Sequence, residues 1–286
     1  MSRKKNYRGE EMKVYISADM EGVTGVTGPD DVIPGRPEYE RFRKLLTADV
    51  NAAIEGAAEG GATEFLVNEA HDGMKNILIE ELDPRAEVII GNRKPLSMME
   101  GFHGADAVFF IGYHARAGVE GVLSHTYSSP TEVIEASLNG EPCSEARMNA
   151  TLAGTESIPV GLVTGDDVTC EEAKGLYPGV ETAQVKVSID RYTARCLVPQ
   201  AARQRIREAA ESAVRGVGEM EPCTLEPPYT FTVEFATASL AASTLRFPEV
   251  TRLDDRRVTW TNGGYGTAYR MFLGVMSLAR GDPDYG

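Results

Sequence analysis

The chain is poor in the features that would mark a disulfide-stapled, membrane-spanning or nucleic-acid-binding protein. Its 286 residues include four cysteines, Cys143, Cys170, Cys196 and Cys223, with no C-x-x-C pair among them. That spacing gives neither a zinc-finger pattern nor a disulfide framework, and it predicts free thiols in a reducing, cytoplasmic setting. No run approaches the roughly 18 consecutive apolar residues of a membrane span. Met1–Glu11 is polar and charged and lacks the apolar centre of a signal peptide, so residues 1–11 are expected to form a disordered extension. Basic residues are in deficit: 29 Lys and Arg against 43 Asp and Glu leave a net charge of -14, which argues against general affinity for nucleic acid or an anionic membrane. Internal repeats and low-complexity tracts are missing as well.

What is present is strand and helix in alternation. Lys13–Ala18 reads as a strand, and Tyr39–Gly60 carries apolar residues at helical spacing up to a Gly60-Gly61 stop. Glu64–Asn68 and Glu87–Ile90 read as strands, with a short helix over Ile77–Leu82 ended by Asp83-Pro84. Ala107–Gly112 is apolar on both faces, as parallel strands covered by helices are. Ser144 caps a helix to about Ala153, Pro159–Thr164 is a buried strand, and a helix begins at Thr169 and reaches about Leu176. Beyond these the pattern changes: Glu181–Ile189, Tyr229–Ala236 and Val258–Thr261 read as strands, Gln200–Val217 and Tyr265–Ala279 as helices. The expected fold is α/β, a mostly parallel sheet flanked by helices over 12–190, with a smaller C-terminal α+β lobe over 191–286.

The first strand ends in Asp19-Met20-Glu21-Gly22. Side chains two apart on a strand share a face, so the two carboxylates project together and repel unless a proton or a cation lies between them. Capping of a following helix is the rival reading. Histidine placement decides between them. The four histidines, His71, His103, His114 and His125, all fall between positions 71 and 125. His71 and His114 end apolar strands, and in open parallel sheets the carboxyl ends of strands form the ligand crevice. Asp19, Glu21, His71 and His114 are therefore expected to meet there. Imidazole with carboxylate suits zinc and similar divalent metals, and the number of acids allows a two-metal site. His125, in a following loop, is placed to exchange protons near neutrality without binding metal. His103 has no such company and reads as structural or exposed. Glu145, in the first turn of a helix, is explained from spacing alone by the helix dipole.

Ser17–Gly22, Val67–His71, Gly112–Ala117 and Gly121–His125 together resemble the D-aminopeptidases of peptidase family M55. The likeness continues through Asn139-Gly140-Glu141-Pro142, Gly165-Asp166-Asp167 and Val185-Lys186, and runs from about Met12 to the end, fading in the last third. It implies a binuclear zinc aminopeptidase, two Zn2+ per subunit, that removes an N-terminal D-residue from short peptides. Carried over by motif, the metal ligands are Asp19, Glu21, His71, His114 and Glu145, with Asp19 bridging, and His125 is the catalytic residue. The resemblance also implies a self-compartmentalising homo-oligomer, a decamer of two pentameric rings. One position departs: Glu69 stands where the best-known member has Asp. Two other readings stand beside this one. The same site would serve a metal-dependent amidohydrolase or an L-specific aminopeptidase. The glycines spaced along 22–28 would suit a non-catalytic binder, although two carboxylates at their mouth repel phosphate.

Overall fold

A computed structural model describes residues 11–129 and 131–280, so the expected extension lies outside the described residues except for Glu11. The chain opens with strand β1 (Lys13–Ala18), a single helical turn α1 (Pro29–Val32) and the long helix α2 (Tyr39–Gly60), closed by Gly61 at φ 115°. Strands β2 (Glu64–Glu69), β3 (Ala86–Ile89) and β4 (Ala107–Ile111) follow. The helix expected over Ile77–Leu82 shrinks to one 3-10 turn, Ile79–Glu81. Asn76 and Ile77 give their N–H groups to Glu69 and Leu78 gives its own to Thr47 Oγ1, which keeps the chain extended up to Leu78.

Next come β5 (Val133–Leu138), β6 (Glu141–Pro142), α3 (Glu145–Gly154), β7 (Val160–Gly165) and α4 (Asp167–Leu176). Helix α4 begins two residues before the expected Thr169, because Asp166 is the cap and accepts from both Thr169 N and Oγ1, at 2.8 and 2.6 Å. The single strand expected over 181–189 is two strands parted at Val185: β8 (Glu181–Gln184) stays in the parallel sheet, and β9 (Lys186–Asp190) forms a hairpin with β10 (Thr193–Cys196). The chain ends through α5 (Pro199–Gly216), β11 (Tyr229–Phe235), α6 (Ala238–Thr244), β12 (Thr251–Arg252), β13 (Arg257–Asn262) and α7 (Tyr265–Arg280).

Six strands form one parallel sheet in the order β3-β2-β1-β4-β7-β8, and an antiparallel sheet has the order β12-β13-β11-β5-β6. The fold is thus the expected α/β arrangement with a separate antiparallel sheet toward the C-terminus. That second sheet draws β5 and β6 from well before residue 190, and α5, from beyond it, lies on α2 against the parallel sheet. Burial on both faces explains the apolar runs. Along β4, Phe109 and Ile111 join the core under α2 and α5, whereas Val108 and Phe110 join the core shared with α3, α7 and the antiparallel sheet.

The α2–α5 crossing is close enough to need a glycine. A Cβ on Gly56 would lie 2.0 Å from the Arg207 carbonyl oxygen. In an exposed helix Gly→Ala stabilises by ~1 kcal/mol. Here the sign should reverse: Gly56→Ala is expected to lose about 1–3 kcal/mol in urea unfolding through overpacking of two helix backbones, and a variant as stable as the parent would refute the packing of α5 on α2.

Candidate metal centre

Strand β1 leads on to β2 at one side whereas β4, its neighbour at the other, leads on toward β7, so the connections diverge between β1 and β4 and a crevice opens at the carboxyl ends of the strands. Ala18 pairs with Glu69 on one side and Ile111 on the other. The sheet bonding continues one step past the strand ends, Asp19 N to Ile111 O at 2.8 Å and Ala70 N to Ala18 O at 2.8 Å. Two glycines let the chains stay in contact there. Gly22 N donates to Gly112 O at 2.7 Å. A Cβ on Gly22 would sit 2.0 Å from Tyr113 O, and one on Gly112, at φ 72°, would sit 2.2 Å from Asp19 O.

Six side chains converge on this crevice. His71 Nδ1 lies 2.9 Å from Glu21 Oε2 and 3.3 Å from Asp19 Oδ1. His114 Nε2 lies 3.4 Å from Glu145 Oε1 and 3.6 Å from Asp19 Oδ2. His125 Nε2 faces Glu21 Oε1 at 3.8 Å and Glu145 Oε1 at 3.9 Å, and its ring stacks on His114 with centroids 4.0 Å apart. Asp19, Glu21, His71, His114 and Glu145 are all buried, and His125, with a side chain 17% exposed, is the most open of the six. Glu145 arrives as the first residue of α3, behind the Ser144 cap that accepts from Arg147 N. The dipole reading and the site reading of this residue therefore hold together. His103 stays apart, paired with Glu156 at the surface.

The donor set fits a divalent cation. Each imidazole spends one nitrogen on a main-chain carbonyl: His71 Nε2 on Val32 O at 2.9 Å, His114 Nδ1 on Ala115 O at 3.0 Å, and His125 Nδ1 on Leu123 O at 2.7 Å. The other nitrogen of each ring is turned to the carboxylates, the arrangement found behind metal-bound histidine. Glu21 Oε2 is buried and, beyond His71 Nδ1 at 2.9 Å, receives no hydrogen bond. Subsets Asp19–Glu21–His71, Asp19–His114–Glu145 and Glu21–His114–His125 each bring one donor atom per residue within 4.8 Å of the others. Asp19 belongs to two of these sets.

The protonation of the side chains themselves points the same way. Burial and the neighbouring Glu21 push Asp19 up to about 8. Burial alone would depress the His71 and His114 imidazoles. The acids outweigh it: Glu21 and Asp19 hold His71 well above the usual range, and Glu145, Glu21 and Asp19 lift His114 to about 10. Glu21 and Glu145 are held low against their burial by His71 and His114 respectively. His125 is pressed down by burial and by the charge on His114.

Four residues that sequence spacing did not single out for the site secure it through the backbone. Lys186, 2% exposed, donates from Nζ to the carbonyls of Glu21, Val23 (3.1 Å) and Val26 (2.8 Å). This also argues against the glycine-spaced run 22–28 as a phosphate loop, since it turns carbonyl acceptors to a lysine and its Thr27 and Gly28 N–H groups are already taken by the Asp31 carboxylate. Asp166 accepts from Val122 N at 2.8 Å and so ties down the loop before His125. Tyr127 N donates to Glu145 Oε1, and Arg191 holds Ser124. The signal was in the Gly165-Asp166-Asp167 and Val185-Lys186 motifs, but their partners lie far off in sequence. The site opens into a pocket of about 820 Å³, whose wall also includes Lys94, Arg191 and Arg280.

Comparison with known proteins agrees with this chemistry. The sequence profile of the Peptidase M55 family, D-aminopeptidase, matches residues 12–274. A D-aminopeptidase of Bacillus subtilis (strain 168) is 41% identical over 231 residues, 79% of this chain and 82% of that protein. The solved structure of the Zn-dependent D-aminopeptidase DppA from Bacillus subtilis, described as a self-compartmentalizing protease, is similar with a TM-score of 0.92 and 34% identity, over 96% of this chain and 100% of that one.

Because cations and protons compete for the same atoms, metal binding must expel the protons held on His71 and His114. Zinc titrated into chelator-stripped protein at pH 7 is expected to release more than one proton per chain, with affinity falling as pH is lowered. Calorimetry in buffers of different ionisation enthalpy measures this directly, and binding without proton release would contradict the protonation described above.

Proposed function

The chain belongs to peptidase family M55, the D-aminopeptidases, and on that basis we propose that it is a zinc-dependent aminopeptidase that removes the N-terminal residue, a D-amino acid, from short peptides. The observation that carries the reading is the meeting of three imidazole nitrogens and three buried carboxylates at the carboxyl edge of the parallel sheet.

Two zinc ions are proposed, with Asp19 shared between them because it alone belongs to both sets that lack His125. Glu21 and His71 complete one set of ligands, His114 and Glu145 the other. When bound, zinc supplies Lewis acidity toward the scissile carbonyl and lowers the pKa of water. The protein's part is positional. Main-chain carbonyls aim His71 and His114, and Lys186 and Tyr127 keep the backbone and carboxylates of Glu21 and Glu145 in place. His125 is the proposed catalytic residue. Its Nδ1 is occupied by Leu123 O, so Nε2 is the atom that would take a proton from the hydrolytic water and return it to the leaving amine. Burial, the first cause of the lowered proton affinity of His125, favours the neutral ring. The pocket of about 820 Å³ has room for a short peptide. A self-compartmentalising oligomer, a decamer of paired five-membered rings, is part of the same proposal, and four free thiols are in keeping with work in the cytoplasm.

The test separates metal from turnover. His125→Ala should retain zinc and lose on the order of 10²–10⁴-fold in kcat. Asp19→Ala should lose zinc and activity together. Activity that survives in the zinc-loaded H125A variant, or full metal content without Asp19, would overturn the respective assignment. D-Ala-D-Ala should be cleaved in preference to L-Ala-L-Ala and to a simple amide; the reverse order would favour the L-specific or amidohydrolase alternative.

A further inference from the structure

The loop that carries His125 is built under strain. Leu123, whose carbonyl accepts from His125 Nδ1 and so aims the ring, has φ 50°, in the left-handed region that a branched side chain disfavours. Such a conformation persists only where its neighbours over-determine it. The Gly121–Val122 peptide is fixed by Val122 N on Asp166, and His125 N is fixed on Ala115 O at 3.1 Å. Within the turn itself Ser124 N donates to Gly121 O at 3.3 Å, and the two contacts that tie Leu123 N and the Ser124 carbonyl to the rest of the protein go to one residue from the tip of the β9–β10 hairpin. Leu123 N donates to the Arg191 carbonyl at 2.9 Å, and the Arg191 guanidinium donates back to the Ser124 carbonyl and, at 3.3 Å, to the Ser124 hydroxyl. The Ser124 hydroxyl in turn donates to Val119 O at 2.8 Å. Arg191 also lines the pocket into which His125 faces.

We propose that Arg191 is a positioning residue for the hydrolytic reaction: by gripping the Leu123 N–H and the Ser124 carbonyl, it holds the strained turn that points His125 Nε2 at the substrate. The inference rests on the reading of His125 as the catalytic residue. The guanidinium spends its donors on Ser124 and, at 3.2 Å, the Tyr192 hydroxyl. Truncating the side chain leaves the Leu123 N–H bond to the main chain of residue 191 in place and removes the clamp on Ser124 together with the contact to Tyr192. The turn can then relax out of the left-handed region, and a small angular change at Leu123 displaces Nε2. Misplacement of a reacting group by about 1 Å is worth on the order of 10² in rate.

The experiment uses the zinc-loaded, full-length protein and D-Ala-D-Ala as substrate. Arg191→Ala is expected to lower kcat on the order of 10²-fold with zinc content and KM unchanged, and Arg191→Lys, which keeps one donor for the Ser124 carbonyl, to recover part of the loss. Adding R191A to H125A should cost nothing more, because the arginine acts through the histidine, and amide exchange across 121–126 should quicken in R191A. Unchanged kcat in R191A, loss of zinc from it, a full additional loss on the H125A background, or unaltered exchange in that loop would each overturn the proposal. If the alanine variant folds poorly, Arg191→Met keeps the aliphatic stem and carries the same expectations. The reading of His125 is judged separately by H125A alone: if that variant retains activity the reading fails, whatever Arg191 does.

Discussion

Three carboxylates, Asp19, Glu21 and Glu145, are buried within reach of one another, and most of the surrounding architecture answers to that. Burying an ion without compensation costs several kcal/mol even after relaxation. A hydrogen bond to a charged group returns roughly 1.5–3 kcal/mol. The main chain offers little: Met20 N to Asp19 and Tyr127 N to Glu145, with no donor for Glu21 Oε2. Hydrogen bonding alone therefore falls short, and positive charge has to make up the difference. Imidazole is the group that can supply it in two ways, as imidazolium or as a neutral ligand to a cation. The three ring nitrogens turned toward the acids serve either state without moving.

A cluster of this kind works only if its backbone is rigid, because the charges would otherwise drift apart. Ionic side chains are spent on that backbone more than on one another. Lys186 gathers three carbonyls, Asp166 takes the N–H groups of Thr169 and Val122, and Lys94 bonds Asn68 Oδ1 and the Glu69 carbonyl. Burial pulls the Lys186 and Lys94 ammonium groups down to about 8, a measure of how far both have been taken from water. Deeper still, Tyr113 OH meets Ser17 Oγ at 2.7 Å and Asn149 Nδ2 at 2.9 Å, and Asn149 Oδ1 receives Tyr269 OH. This buried network joins β1, the segment after β4, α3 and α7, where hydrogen-bonded polar groups select a single arrangement of these elements.

The parallel sheet and the strand-end residues were legible because both are local properties. A strand apolar on both faces announces helices above and below, and Asp19, His71 and His114 stand directly after such strands, so their convergence needed no knowledge of distant pairing. The antiparallel sheet was illegible for the opposite reason. Strand β5 pairs with β11, Phe231 opposite Leu138, and no periodicity within 133–142 carries that register. The break at Val185 was hidden too: its N–H continues the sheet bonding to Gly165 while Lys186 begins a hairpin, and both halves share one alternating pattern. Glu145 lay between the two cases. Its helix start was readable from Ser144, but its arrival beside His114 depends on where α3 docks, and the family resemblance alone pointed there.

His71 shows how far the protein goes in arranging a ligand before any cation is considered. The turn after it carries Asp72 at φ 44° and Met74 at φ 52°, two non-glycine residues in the left-handed region. Glu69, the last residue of β2 and fully buried, spans that turn: its carboxylate accepts from Asn76 N at 2.6 Å, Ile77 N at 2.7 Å and Asn76 Nδ2 at 2.9 Å. Asn76 passes the restraint on, donating to the His71 carbonyl at 2.8 Å and accepting from Tyr39 OH at 2.7 Å. A glutamate in place of aspartate lengthens the reach by one methylene, and here that reach ends on N–H groups seven and eight residues ahead rather than among the metal-binding atoms. The ring is oriented from its other side by Val32 O. His71 is thus located by its backbone through Glu69 and Asn76 and by its ring through Val32, so a cation binding at Nδ1 meets a ligand whose ordering cost has already been borne by folding.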